Sequence, residues 1–451
     1  MPVNTTPYAA KPRAARLALP AVLMLTLPGL THAAGFYIQE QSVSGLGRAF
    51  AGDAALAADA STIFFNPAGM TALPGSELQL AAHLLIPTAK VSNHGSTVTA
   101  PGTQGQALGY AGGSGGNPYG PSPVPNLFYA TPVNELLWFG FGITAPFGLA
   151  NDYKQDFFAR YDSTETALTV INLQPSLAVA LTPSFSIGAG LDVQYADATL
   201  EAALPDPTQP GGPTPGSDGY SRLSADHWGY GFNLGMQWAL SPQTRVGAHY
   251  RYGIKHTLTG SADINPPASL AAFGRTAEQI SGKADLHLPD IFSLGLVHQV
   301  GPQLNLLAQY TWFQWSNFDE IRVRFADGRA DDVTVQNYRD SWALALGAEY
   351  QWDERWTLRG GIQFDQTPTQ DGYRTTRTPD GDRTWFSFGA SYAYDARLGF
   401  DLAYTYIDIA KESLDLSRQF YAQTPLATQV NLQGTTQGDV HILAGALRYR
   451  F

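Results

Sequence analysis

The chain has 451 residues, no cysteine, nine histidines and a formal charge of −11, with 44% hydrophobic and 12% aromatic side chains. The acidic balance argues against a nucleic-acid partner, which would require a basic face. The lack of cysteine excludes disulfides, thiol nucleophiles and zinc–thiolate sites, and no run of about 20 apolar residues could cross a bilayer as a helix.

The first 33 residues have the pattern of an export signal. A basic region, "KPRAAR", is followed by the apolar stretch 17–30, and "THA" ends at the small residue Ala33. The alternative is a membrane anchor, but about 14 apolar residues interrupted by two prolines are too short to span a bilayer. We therefore expect a signal peptide over residues 1–33.

Residues 34–75 differ from everything that follows them. They are rich in glycine and alanine and lack the alternation of a strand, and they include "SGLGRAF" and "NPAGM". A phosphate-binding loop is the first alternative, but no strand precedes the glycines and the third glycine of that motif is missing. We expect this segment to form a compact plug, or hatch.

From Ser76 onward apolar and polar residues alternate with a period of two, as in "RVGAHYRYGI" and "WALALGAEYQW". Such alternation predicts strands with one apolar face. We expect fourteen strands, near 76–91, 124–132, 136–149, 165–181, 185–200, 227–240, 244–259, 283–300, 303–325, 333–352, 355–366, 384–394, 397–412 and 436–451. The intervening long loops are expected near 92–123, 150–164, 201–226, 260–282, 367–383 and 413–434.

Three features favour a membrane barrel over a soluble sandwich. Trp and Tyr end the apolar faces, as the aromatic girdles of a lipid-facing wall do. Tight turns alternate with long loops, and the chain ends on the aromatic residue Phe451. The prediction is an all-β, transmembrane, 14-stranded antiparallel β-barrel over residues 76–451, placed in the bacterial outer membrane, with the hatch of residues 34–75 in its lumen.

The sequence offers no catalytic or metal-binding arrangement. "GGSGG" from Gly112 matches the nucleophile-elbow pattern, but it lies in a predicted outer loop without the required strand and helix. The histidines lack metal-ligand spacing, and "DGRADD" from Asp327 reads as a solvated turn rather than a divalent-ion site. We expect no enzyme activity, no cofactor and no metal.

The sequence resembles the FadL/TodX family of outer-membrane long-chain fatty acid and hydrocarbon transporters. The resemblance extends over the exported chain and is carried by "SGLGRAF" and "NPAGM", by "PNLFYATPVNELLWFGFGITAPFGLANDY", and by "HWGYGFNLGMQWAL" and "DERWTLRGGIQFDQTP". It implies passive uptake of hydrophobic molecules by a monomer. A ligand would be captured in a groove among the outer loops, bind inside the barrel, displace the hatch and leave sideways at a kink in the third strand.

The resemblance also implies roles for individual residues. Phe36 is expected near the inner binding site, and Asn66, Pro67 and Gly69 in the hatch motif are expected to act in the gate. The kink is expected at Pro146, Phe147 and Gly148, since proline cannot donate to a ladder and glycine has no side chain to pack. The alternative is that Pro146 only marks the end of a strand.

Two further groups are candidate ligand contacts. Arg322 and Arg324 would pair with a fatty-acid carboxylate, or would instead hydrate a loop base or contact lipopolysaccharide phosphates. Leu270, Phe273 and Ile280 lie at helical spacing and would form one wall of the capture groove, or pack against a neighbouring loop.

The expected function is uptake of hydrophobic molecules, with long-chain fatty acids favoured. The acidic segment 194–201 stands where a second basic residue would be expected, which leaves an aromatic or aliphatic hydrocarbon as an alternative. A surface adhesin or structural barrel is the alternative from another class. Outer-membrane lipid and lipopolysaccharide are the expected surroundings.

Overall fold

A computed structural model describes residues 35–451, and the predicted signal peptide lies outside this range. Fourteen antiparallel strands form a closed barrel, because the first strand pairs with the last from Glu77–Arg450 to Asn93–Gly434. The predicted 14-stranded barrel is confirmed. The strands are Glu77–Asn93, Ser122–Pro132, Leu137–Asp152, Glu165–Thr182, Phe185–Leu204, Gly219–Ala239, Thr244–Arg251 with Lys255–Asn265, Glu278–His287 with Ile291–Val300, Leu304–Phe313 with Glu320–Phe325, Asp332–Val335 with Ser341–Gln351, Trp356–Asp365, Arg383–Ala393, Leu398–Phe420 and Thr428–Arg450.

Over the lower part of the wall, the period-two pattern places apolar side chains outside and polar ones inside. In the fifth strand Leu191 is 61% exposed on the outer face, whereas the neighbouring Asp192 is buried in the lumen. Trp238 and Trp352 are exposed near the short turns, as expected of an aromatic girdle. None of the helices in residues 35–451 is long and apolar enough to cross a membrane.

Four strands, the seventh to the tenth, are interrupted at similar heights, which the sequence did not predict. Asp290 stabilises the gap in the seventh strand, where it accepts hydrogen bonds from Gly253 N (2.7 Å) and from the Tyr250 hydroxyl (2.6 Å). Its own carbonyl accepts from Gln314 N at 2.9 Å. Pro289 brings no N–H to the ladder, so a break here leaves one donor fewer to satisfy.

The predicted loop over 413–434 is wrong for most of its length. The last two strands, Leu398–Phe420 and Thr428–Arg450, continue as one long hairpin that rises above the rest of the wall. The register of this hairpin shifts at a β-bulge between Ile409 and Glu412, and the pairing then continues to Phe420 and Thr428. Leu414 and Leu432 of this extension pack with buried aromatic side chains of the outer loops, which explains why the ladder persists there.

The N-terminal residues form short helices inside the lumen. They are Val43–Leu46, Asp53–Leu56, Thr62–Phe65 and the 3₁₀ helix Pro67–Ala72. Wall side chains satisfy the carbonyl groups that such short helices leave free. Gln174 donates to Ile63 O (2.6 Å), and Arg251 donates to Phe64 O (2.9 Å).

Five short elements lie in the loops and in the break of the ninth strand. The strands Thr97–Thr99 and Leu108–Gly109 pair with each other, and the first of them also pairs with the last barrel strand. The 3₁₀ helices are Pro101–Thr103, Ala268–Phe273 and Trp315–Asn317.

Candidate functional site

The wall opens between the second and third strands. Their ladder ends at Leu127 and Ile143, although both strands continue beyond that point. The third strand, Leu137–Asp152, then shifts register between Thr144 and Phe147 against the fourth strand. Such a β-bulge bends a strand and disrupts the local ladder. The bulge falls at Ala145 and Pro146, in the segment where the kink is predicted; its use as a lateral exit stays a prediction.

The N-terminal arm, residues 35–42, occupies this gap from the inside. Ile38 N donates to Pro146 O at 2.8 Å, and Gly148 N donates to Phe36 O at 2.9 Å. Tyr37 and Phe147 are therefore directly opposite each other in an isolated antiparallel β-bridge, with one of these hydrogen bonds on either side. The arm replaces the second strand as the hydrogen-bonding neighbour of the third, so moving the arm would uncover the gap.

The hatch motif is anchored to the wall by Asn66. Its Nδ2 donates to Ala54 O (2.6 Å) and to Met236 O (2.9 Å), and its Oδ1 accepts from Ala68 N (3.1 Å). Pro67 begins the following 3₁₀ helix, where its missing N–H costs nothing. A side chain at Gly69 would overlap the Thr62 hydroxyl. These residues fix the end of the hatch; their part in gating stays a prediction.

Phe36 lies at the base of an apolar cavity of about 70 Å³. Its ring contacts Trp315 and Phe318, with ring centroids 4.7 and 5.2 Å away. The remaining apolar wall comes from the upper parts of the third to ninth strands, at Leu149, Leu168, Ala198, Leu200, Leu223, Ala225, Leu258, Ala284, Leu286 and Ile321. Ligand sites for small molecules are typically roughly 300–1,000 Å³, so a long ligand requires Phe36 or the loops to move.

Arg377 lines the same cavity, and no motif or spacing in the sequence singles it out. It belongs to the loop between the eleventh and twelfth strands; Arg374 in this loop and Arg383 at the start of the twelfth strand each form an ion pair. Arg377 is buried, and its Nη1 donates to the Thr166 hydroxyl at 3.1 Å. Within residues 35–451 no carboxylate forms an ion pair with it. Burial lowers its pKa to about 10, so the guanidinium keeps its charge at neutral pH.

Neither Arg322 nor Arg324 lines this cavity, although Asp285, the partner of Arg324, does. Arg322 donates to Glu320 (2.6 Å) and Asp331 (3.0 Å), and Arg324 donates to Asp285 (2.5 Å). Both side chains are partly exposed, at 37% and 44%. Each already has a carboxylate partner, so neither is free to take another without breaking an ion pair.

The residues of the predicted loop stripe do not share one helical face. The helix Ala268–Phe273 ends at Gly274, whose φ of +74° stops it, and Ile280 lies in the following strand. Leu270 is buried, whereas Phe273 is 59% exposed. The helix is tied to a neighbouring loop, because the Ser269 hydroxyl donates to Asp206 at 2.7 Å. Ligand capture by these residues stays a prediction.

Metal chemistry finds no support in the part of the chain that the structure describes. No group of three or more His, Cys, Asp or Glu side chains there is arranged to hold an ion.

A family model described as "Outer membrane protein transport protein (OMPP1/FadL/TodX)" matches residues 24–451. The chain belongs to the FadL/TodX family. A putative outer membrane protein of Neisseria meningitidis is 32% identical, covering 84% of this chain and 86% of that protein. The long-chain fatty acid transport protein of an Escherichia coli strain is 29% identical, covering 86% and 90%.

Solved structures of similar proteins agree with this FadL/TodX assignment. A Pseudomonas aeruginosa FadL homologue superposes with a TM-score of 0.81 at 26% identity, covering 93% of this chain and 100% of that one. The Ralstonia pickettii toluene transporter TbuX gives a TM-score of 0.64 at 22% identity, covering 90% and 97%, and supports the fold alone. This FadL/TodX member is an outer-membrane transport protein for hydrophobic compounds, not an enzyme.

Proposed function

We propose that the chain takes up long-chain fatty acids and that Arg377 binds the carboxylate. The observation that carries this proposal is a buried guanidinium without a carboxylate partner at a cavity lined mainly by apolar side chains, whose one carboxylate, Asp285, is already paired with Arg324. A buried charge is costly unless it is paired, and a charge-assisted hydrogen bond to a carboxylate would supply the partner. The alkyl chain would then lie along the apolar wall, in place of Phe36.

The proposed displacement of the hatch and the lateral exit of the ligand are supported by the position of the N-terminal arm. Phe36 is part of the cavity and also contacts Phe147 at the bulge, with ring centroids 6.2 Å apart. A ligand that displaces Phe36 would therefore loosen the arm where it covers the gap between the second and third strands. Lateral exit through this gap spares the alkyl chain from crossing water, which would cost about 0.8 kcal/mol per CH₂. Leu270, Phe273 and Ile280 remain candidate contacts for capture above the cavity.

Arg377→Met tests the carboxylate contact. We expect the affinity of the purified protein for palmitate to fall by about ten- to a hundred-fold, the worth of a charged hydrogen bond. Arg322→Met is the matched comparison, because Arg322 already has two carboxylate partners. Isothermal titration in detergent measures binding, and uptake of labelled palmitate by cells measures transport.

The outcomes separate the competing assignments. Loss of palmitate affinity in Arg322→Met but not in Arg377→Met would show that the carboxylate binds at Arg322, as the sequence analysis predicts. Unchanged palmitate binding in both, together with efficient uptake of toluene, would favour a hydrocarbon channel. If cells that carry the protein attach to other cells but take up neither palmitate nor toluene, the result would favour an adhesin.

A further inference from the structure

A second polar site lies behind the gap in the wall, away from Arg377. It consists of His83 on the first strand, Asn126 on the second and Thr144 on the third, none more than 5% exposed. Asn126 Oδ1 and the Thr144 hydroxyl have no hydrogen-bond partner among residues 35–451, and the His83 imidazole has only the nearby backbone of Ser42 in the arm and of Val124. Since buried polar groups are nearly always hydrogen-bonded, polar side chains with so few partners on three neighbouring strands point to a polar ligand group.

The strand register brings these side chains together. Asn126 and Thr144 are the first residues beyond the last ladder pair, Leu127–Ile143, so they flank the point where the two strands part. Asn126 Nδ2 lies 3.4 Å from His83 Nδ1. When Nδ1 accepts this hydrogen bond, the proton of a neutral imidazole is on Nε2, which makes Nε2 a donor. The Thr144 hydroxyl is a second donor.

The N-terminal arm connects this site to the cavity. Phe36 at one end of the arm lines the Arg377 cavity. At the other end the Gln41 side chain bonds Ala145, next to Thr144, with Nε2 donating to Ala145 O at 2.9 Å and Oε1 accepting from Ala145 N at 3.3 Å. Displacing the arm would therefore join the two sites into one path.

We propose that His83, Asn126 and Thr144 form a transit site for the carboxyl group of a fatty acid as it leaves the barrel. This inference rests on the proposed function. Hydrogen bonds from neutral donors are weaker than those from a guanidinium, so the carboxyl group is held at the gap without being trapped there. A pathway needs sites strong enough to accept a ligand and weak enough to release it. The alkyl chain enters the lipid first, and the carboxyl group follows.

The double variant His83→Leu/Thr144→Val tests this site. It removes both donors. Leucine and valine are apolar replacements of similar size, and valine keeps a β-branched residue in the third strand. We expect the initial rate of palmitate uptake by cells to fall about ten-fold, the worth of two neutral hydrogen bonds. Uptake of 1-hexadecanol, which has the same chain and no carboxyl group, and equilibrium binding of palmitate to the purified protein should be unchanged.

Two further variants complete the design. Thr436→Val is the matched control, because Thr436 is equally buried in the last strand and its hydroxyl also lacks a partner; it should not change uptake. His83→Gln retains an N–H donor and should restore part of the palmitate rate. Heat-modifiable migration of each variant in electrophoresis reports that the barrel is folded.

Several results would overturn the transit site. Equal loss of palmitate and hexadecanol uptake would show that the residues only shape the wall, and unchanged uptake of both would show that the polar atoms are merely hydrated. These results differ from failure of the proposed function, in which the unaltered protein takes up no palmitate or Arg377→Met binds it normally.

Discussion

Glu40 in the N-terminal arm is fully buried, and no side chain among residues 35–451 donates a hydrogen bond to its carboxylate. Burial raises its pKa from 4.5 to about 8, and the backbone N–H groups of Glu40 and Gln39 together with the positive charge of Arg383 oppose that rise only in part. Because the folded pKa of Glu40 exceeds the unfolded one, the contribution of Glu40 to stability is fully present below pH 4.5 and is lost as the pH rises towards about 8.

Glu40→Gln should remove this pH dependence. The variant keeps the size and shape of the side chain but cannot ionise, so its free energy of unfolding should exceed that of the unaltered protein above pH 8. The expected gain is on the order of a few kcal/mol. Unfolding in detergent, followed by heat-modifiable mobility at pH 5 and pH 9, measures it. Parallel pH profiles for the two proteins would contradict the prediction.

At the residue scale, the sequence showed which residues are important better than it showed which residues they contact. The "NPAGM" motif marked Asn66 as important, but only the fold shows that it bonds Met236 on the sixth strand. Arg322 and Arg377 look alike in the sequence, since both are arginines in polar surroundings. What separates them is that Arg322 has carboxylates beside it and Arg377 faces an apolar cavity, and both facts depend on contacts between distant segments.

Adjacent glycines in the eleventh strand show how the wall admits the hatch. Gly361 faces the lumen, where a Cβ would overlap the carbonyl oxygen of Arg48. Gly360 faces outward, and a Cβ there would meet its nearest atom at 3.9 Å, an ordinary contact. The hatch backbone therefore packs directly on the wall at one glycine and not at the other.

Gly361→Ala should loosen the hatch, and Gly360→Ala should not. The added methyl group at Gly361 must displace Arg48, whose side chain is ion-paired with Asp53 inside the hatch. We expect higher ion conductance in planar bilayers for Gly361→Ala and greater sensitivity of cells to large antibiotics. Equal conductance of the two variants, both present as folded barrels, would contradict a hatch held by this contact.

Strands were predictable and their interruptions were not. Alternation over ten or more residues fixes which face of a strand is apolar, and this was enough to count fourteen strands. The breaks at Gly253 and Asp290 preserve the alternation on either side, so they leave no mark on the pattern. Likewise the hairpin above residue 412 is held by Leu414 against buried loop aromatics, a long-range contact that local pattern does not contain.

On the scale of the whole molecule, the arm connects three features that are far apart in the sequence. Phe36 lines the cavity, Tyr37 faces the bulge of the third strand, and Gln39 accepts a hydrogen bond from Gln363 of the eleventh strand at 3.0 Å. One short segment therefore contacts the ligand cavity, the gap and the opposite wall. If uptake requires the gap to open, the arm has to leave the third strand first.

A reversible disulfide between the arm and the bulge tests this requirement. Tyr37 and Phe147 face each other between two flanking backbone hydrogen bonds, which is the closer kind of antiparallel pair. The chain has no cysteine of its own, so Tyr37→Cys/Phe147→Cys introduces a single possible bridge. Oxidised cells should lose uptake of both palmitate and toluene, because the block acts on the path and not on the carboxylate. A reductant should restore uptake in the same cells, and each single cysteine variant should be insensitive to oxidation. Full uptake with the bridge demonstrably closed would mean that ligands leave by another route.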